Sequence, residues 1–194
     1  MILPVDDEIE LHLLVERHAD QLFDLVDANR PHLREWLPWV DHERSRKESL
    51  AFVQLTFEQF QRNESLTTGV VYHHELVGVI GYHRIDWLNR ATMMGYWLAE
   101  AFQGKGIITR AAARMTDHAL ITLGLHRLEI RCAIGNTRSC AIPRRLGFRW
   151  EGIARQAEWL YDHFVDLHVF AMLAPDWSSR QSVNGLRKGG SKRS

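Results

Sequence analysis

The chain has 194 residues, 45% of them hydrophobic, enough for one sizeable core, so a single domain is expected. No apolar run approaches the ~18 residues of a membrane span, and Met1 to Glu10 lacks the basic start of a secretory leader. Formal net charge is zero but uneven: residues 178–194 hold five basic residues and no acid, which leaves −5 on the rest and argues against nucleic acid as the main partner.

Residues 1–177 are therefore expected to form the domain, with 178–194 a disordered basic tail, rich in Ser and Gly and without apolar periodicity. Two cysteines, Cys132 and Cys140, are too few for a disulfide framework and fit a reducing cytoplasm. Cys132 reads as a small buried apolar side chain.

Alternation of Ile9, Leu11 and Leu13 predicts a first strand over 8–15. A helix follows from His18 to Asn29, with Leu22, Phe23, Leu25 and Val26 as its stripe. Arg30 to Trp39 is expected to be irregular, because Pro31 and Pro38 interrupt a helix. It nevertheless carries Trp36 and Trp39, which either cap the core or wall an acceptor cleft. Arg46 to Asn63 reads as a long amphipathic helix.

Strands are expected at 66–73 and 76–85. The His73-His74-Glu75 cluster lies at their turn, where adjacent side chains diverge, so a solvated hairpin tip is expected rather than a metal site. Asp86 to Arg90 makes the next turn and Ala91 to Leu98 the next strand. A helix then carries Ile107, Ala111, Met115, His118, Ala119 and Thr122 at spacings of three and four. Between that strand and helix stands Gln103-Gly104-Lys105-Gly106. Two glycines at a strand-to-helix turn leave no Cβ between backbone and ligand. The free N–H groups of the first helical turn then face that space, with the positive end of the helix dipole behind them, which suits a phosphate. Neither a Walker loop nor a dinucleotide-binding glycine fingerprint is present.

Arg127 to Ala133 alternates as a further strand. A short helix runs from Asn136-Thr137-Arg138-Ser139 to Leu146, with Gly147 as a left-handed cap and Pro143 as a source of distortion. Two strands, around 148–157 and 163–173, complete the chain as a hairpin. The order is β-α-α-β-β-β-α-β-α-β-β, an α/β chain with one mixed sheet of about seven strands and helices on both faces.

Gly95-Tyr96-Trp97-Leu98, Gln103-Gly104-Lys105-Gly106-Ile107, Asn136-Thr137-Arg138-Ser139, Leu146-Gly147-Phe148 and Glu151-Gly152, in this order, resemble the GNAT N-acetyltransferases. The similarity is to the Rim-type branch, which acetylates ribosomal-protein N-termini, and it spans roughly residues 8–174. Ile108 stands where the wider family often has Gly or Ala; the Rim-like branch commonly carries a larger apolar residue there.

The resemblance implies a mostly antiparallel sheet, splayed at its centre, with acetyl-CoA as cosubstrate and no metal. Trp97, Leu98 and Ala99 would offer strand backbone to the pantetheine arm. Gln103, Gly104, Lys105, Gly106, Ile107 and Ile108 would take the diphosphate, and Asn136 would bond the arm. Arg144 would reach the adenosine end. Lys105, Arg110 and Arg114 would meet outer phosphates, or Arg110 and Arg114 would simply lie on a solvated face. Glu100 is either a base at the cleft mouth or a surface carboxylate. No tyrosine follows the Asn136 turn, so Ser139 is the hydroxyl left to assist the leaving thiolate, or else to cap its helix.

Trp36, Trp39 and Glu158 would shape the acceptor site. The acceptor implied is a primary amine, foremost the α-amine of a ribosomal protein. A polyamine or antibiotic-like amine, and a non-catalytic acyl-CoA-binding regulator, are the alternatives. A homodimer is left open.

Overall fold

The fold is taken from a computed structural model that describes residues 1–180. Its strands follow the alternation of the sequence: in β2 (Ile9–Leu13), Ile9, Leu11 and Leu13 are buried and the residues between are half-exposed. In chain order come β1 (Ile2–Pro4), β2, α1 (Ala19–Ala28), α2 (Arg30–Arg34), α3 (Arg46–Gln61), β3 (Leu66–Tyr72), β4 (Glu75–Tyr82) and β5 (Ala91–Leu98). Then follow α4 (Ile107–Asp117), β6 (Arg127–Ala133), α5 (Thr137–Leu146), β7 (Arg149–Leu160) and β8 (His163–Leu173).

The sheet has eight strands in the order β1-β2-β3-β4-β5-β6-β8-β7, all antiparallel neighbours except β5 and β6. The strand beyond the expected seven is β1, three residues at the sheet edge, too short to show a period. It pairs with β2 through Ile2↔His12 and Pro4↔Glu10. One face of the sheet carries α4 and α5, with Ile107, Ala111 and Met115 packed on Ile80, Met94 and Leu128. On the other face α1, α2 and α3 pack Leu22, Val26, Leu33 and Val53 against Val79 and Trp97.

Pro31 does not stop a helix, as expected from sequence; it begins one. It occupies the first turn of α2, where its missing N–H would have had no partner. His73 and His74 both take positive φ and form the β3–β4 turn, as expected of a hairpin tip. Among the described residues no group of His, Cys, Asp and Glu could hold a metal ion, and no helix is long and apolar enough to cross a membrane.

After α4 the backbone widens into a π turn at His118–Thr122. There the Tyr82 hydroxyl, reaching from β4, donates to the carbonyl of Met115. Residues 174–180 are helical, so 178–180, expected at the start of a disordered tail, continue this helix. Trp177 is buried and donates to the Asp117 carboxylate at 2.7 Å. The rest of the expected tail lies outside the described residues.

The feature that positions the site is a gap inside the sheet. β6 stays in register with β8 as far as Ala133↔Leu167, but pairs with β5 only over Ala91↔Arg127, Thr92↔Leu128 and Met93↔Glu129. β5 stays with β4 as far as Gly78↔Leu98. From Met94 onward β5 therefore has a free edge facing β6.

Candidate active site

Antiparallel pairing decides which backbone groups that edge offers. The Ala99 N–H donates to the Val77 carbonyl at 2.9 Å, and the His83 N–H donates to the Met93 carbonyl at 2.8 Å. Odd-numbered residues of β5 thus bond to β4, and alternation turns the N–H and C=O of Tyr96 and Leu98 into the gap. This corrects the expectation for Trp97 and Ala99, whose backbone groups face β4. Leu98 keeps its expected place.

Past the strand, Gly104 and Gly106 adopt φ of +76° and +73°. A Cβ built on either meets no atom of the described residues within 4 Å, so the turn opens on free space. Gly106 caps α4 in the left-handed region, and among the described residues no carbonyl accepts from the N–H of Gly104, Lys105 or Gly106. Ile107 and Ile108 are buried under the turn and present only backbone outward. Gln103 is held by His32 at 2.8 Å and by Arg138. The Lys105 ammonium lies 5.0 Å from the Phe102 ring centroid.

Arg110 and Arg114 have other work. Arg110 pairs with Asp6 and Glu8, each at 2.8 Å, and holds the Glu8 carboxyl below its usual range. Arg114 donates to the carbonyl of Pro4. Both brace β1 and the turn after it against α4, so each already has a partner within the protein. Arg144 packs over the Phe170 ring at 5.5 Å and does not line the cavity described next.

A cavity of about 710 Å³ opens beside the gap. It brings together Trp36, Trp39, Trp97, Asn136, Ser139 and Glu158 from four separate segments. Trp39 and Trp97 lie with ring centroids 6.1 Å apart. The Trp36–Trp39 segment is tied across the opening, because Tyr161 donates to the Leu37 carbonyl at 2.6 Å and Arg34 lies 4.0 Å over the Tyr161 ring. Trp39 packs against the core cluster under α1 and α3, and both tryptophans line the cavity.

Glu158 reaches the cavity through a bulge. β7 pairs Ala154↔Leu167 and Glu158↔Val165, so residues 155–157 stand opposite Asp166 alone. Gln156 takes φ +47°, and its N–H donates to Asp166 Oδ1 at 2.7 Å. Burial raises the Glu158 carboxyl above its ordinary pKa. Two other carboxylates line the cavity, but Glu43 accepts from Ser49 and Glu64 pairs with Arg62. Among the described residues no donor bonds Glu158. Glu100 is outside the cavity lining; its N–H donates to Asn29 Oδ1 at 3.0 Å, and its residue is exposed.

Asn136 caps α5 by accepting from the Ser139 N–H at 3.0 Å. The cap is therefore Asn136, and the Ser139 hydroxyl lies within hydrogen-bond reach of the Tyr96 phenol. Cys132 and Cys140 are both buried with sulfurs 2.7 Å apart, and burial keeps the Cys132 thiol protonated, which does not suit it to nucleophilic attack.

One residue escaped the sequence reading. His83 follows β4 and faces bare Gly95, where a built Cβ would come 3.0 Å from its Nε2. It lines the cavity, and desolvation lowers its pKa, favouring neutral imidazole. Only the cross-strand register of β4 and β5 could have pointed to it.

A model described as the acetyltransferase (GNAT) domain matches residues 8–149. The ribosomal-protein-serine acetyltransferase of Escherichia coli (strain K12) is 33% identical over 171 residues, 88% of this chain and 96% of that relative. The structure of RimL, a ribosomal L7/L12 alpha-N-protein acetyltransferase in complex with coenzyme A, superposes with a TM-score of 0.87 at 31% identity, covering 91% of this chain and 99% of that one. The microcin C7 self-immunity acetyltransferase MccE, in complex with acetyl-CoA and AMP, gives a TM-score of 0.83 at 28% identity, with coverage of 87% and 94%.

Proposed function

The chain belongs to the GNAT acetyltransferase family, and from that premise we propose that it moves the acetyl group of acetyl-CoA directly onto the N-terminal α-amine of a ribosomal protein. The observation that carries this reading is the cavity beside the free edge of β5, with Ser139 and Glu158 both in its wall. The relatives named for ribosomal-protein acetylation, aligned along nearly their whole length, support the choice of acceptor.

The residues present fit such a cosubstrate. The turn at Gly104 and Gly106 is open, its N–H groups have no acceptor among the described residues, and they sit at the positive end of α4. That end takes the diphosphate, with Lys105 and Arg138 as the charges beside it. The N–H and C=O of Tyr96 and Leu98 bond the pantetheine arm as an added strand would, and Asn136 offers its amide N–H from the other wall. When bound, acetyl-CoA supplies an activated acyl group as a thioester.

Glu158 accepts the proton that the amine must lose. An α-amine has a pKa of about 7.7–8.0 and needs less help than a lysine amine at about 10.4. A carboxyl raised by burial is a better-matched base than an exposed one. On the opposite wall Ser139 donates its hydroxyl to the departing sulfur. A thiolate of pKa near 8.5 leaves readily, so a hydrogen bond or relay through Ser139 suffices. Trp36 and Trp39 flank the entering chain end and keep bulk water out. A ribosomal acceptor goes with a cytoplasmic place of action.

The deciding experiment measures thiol release from acetyl-CoA with peptides bearing ribosomal-protein N-termini, with polyamines and with no acceptor. Mass spectrometry of protein N-termini from cells with and without the chain accompanies it. Turnover with peptides, and a ribosomal N-terminus acetylated only when the chain is present, are the expected results. Turnover with polyamines alone would move the acceptor to small amines. Binding of acetyl-CoA without turnover on any acceptor would leave a non-catalytic binder.

A further inference from the structure

The cofactor gap has two walls, the free edge of β5 and the N-terminal half of α5. One hydrogen bond crosses between them: the Tyr96 hydroxyl donates to the backbone carbonyl of Ser139 at 3.0 Å. The reason that carbonyl is available lies four residues further along. In a regular helix the N–H of residue 143 would bond the carbonyl of residue 139. Residue 143 is proline, inside α5, and has no N–H to give. Its ring also crowds the carbonyl four residues back and tilts it outward. A partly buried carbonyl left without a donor is costly.

We infer that Tyr96 is a positioning residue whose hydroxyl replaces the amide that Pro143 lacks, and so fixes the turn carrying Ser139 against the cofactor gap. The inference rests on the reading of Ser139 as the group that assists the leaving sulfur. Around Ser139 the bonds are then complete on the backbone side: Asn136 takes its N–H and Tyr96 serves its C=O, while the side-chain hydroxyl, beside the same phenol, lines the cavity. Burial raises the Tyr96 pKa, so the phenol remains a donor across the working pH range. Tyr82 does the same on the neighbouring strand, donating into α4 at Met115, beside the π turn where the helical bonding pattern changes. Strand tyrosines thus meet helix carbonyls at both irregular points.

The test is a double-substitution cycle with Tyr96→Phe and Pro143→Ala, in which kcat and KM are measured for both substrates. Tyr96→Phe should lower kcat roughly three- to tenfold, the worth of one hydrogen bond, with KM for the amine unchanged. Pro143→Ala restores an N–H to the helix and should stay near the wild-type rate. The double variant should return to within about twofold of Pro143→Ala, since the new amide serves the carbonyl that lost its phenol. A tyrosine that merely packed would not be rescued by an amide on another element.

A double variant as slow as Tyr96→Phe, or a Tyr96→Phe enzyme at the wild-type rate, overturns the inference. Ser139→Ala, assayed beside them, keeps the two readings apart. A loss there without Tyr96–Pro143 coupling removes the positioning role alone. Wild-type turnover there removes Ser139 from the chemistry and, with it, the route by which Tyr96 acts.

Discussion

Glu158→Gln should lower kcat by about 10² or more, the ordinary worth of a general base, while KM for acetyl-CoA stays within about twofold because the turn at Gly104 and Gly106 is on a different segment. Glutamine keeps the size of the side chain and removes the ionisable group, so the loss belongs to proton transfer and not to cavity shape. The pH profile supplies an independent check. Desolvation disfavours the charged carboxylate, so the Glu158 pKa lies above its ordinary 4.5. The base is active only when deprotonated. Rate should therefore rise with pH through an ionisation above 4.5, and fall as pH drops below it. That acidic limb should vanish in Glu158→Gln. Glu100→Gln, outside the cavity, should keep the wild-type rate. If Glu100→Gln were the slow variant and Glu158→Gln the normal one, the base would have to be sought at the strand end after all.

The second large effect is at the glycine turn. Gly106→Val should raise the dissociation constant for coenzyme A roughly 10- to 100-fold, as expected where backbone approach to a phosphate is blocked. Two costs combine. A β-branched residue at φ +73° is strained, and its side chain projects into the open space where the diphosphate should lie. Among the described residues no atom lies within 4 Å of the built Cβ, so the variant should still fold; its melting curve and circular dichroism check this. Calorimetric titration with coenzyme A gives the affinity. A folded variant with wild-type affinity would exclude the turn as the phosphate seat.

Local patterns made much of this site legible in the sequence. Gly104 and Gly106 stand out because only glycine takes positive φ freely, and Gly147 caps its helix for the same reason. The amphipathic helices and the alternation of β2 and β6 were equally readable. What stayed hidden depends on register and on distant partners. Whether Tyr96 or Trp97 faces the gap turns on one residue of pairing with β4. The bulge that delivers Glu158 involves no glycine at all: its positive φ falls on Gln156, supported by Asp166 ten residues on. Arg110 and Arg114 looked free because their partners, Asp6, Glu8 and Pro4, lie over a hundred residues earlier. Pro31 was misread since proline is unwelcome inside a helix yet favourable in its first turn.

One edge of the sheet is β1, opposite the edge formed by β7, which bears Glu158. Seven strand spacings of ~4.8 Å separate the two edges, about 34 Å before twist. Leu13 donates to the Met1 carbonyl at 3.0 Å, and Arg114 grips Pro4. That edge is thus tied both to β2 and to α4, the helix that begins at the open glycine turn. Arg114→Ala should loosen β1 while leaving the affinity for coenzyme A within about twofold, read by hydrogen exchange and calorimetric titration; a large loss of affinity would show that the edge also supports the turn.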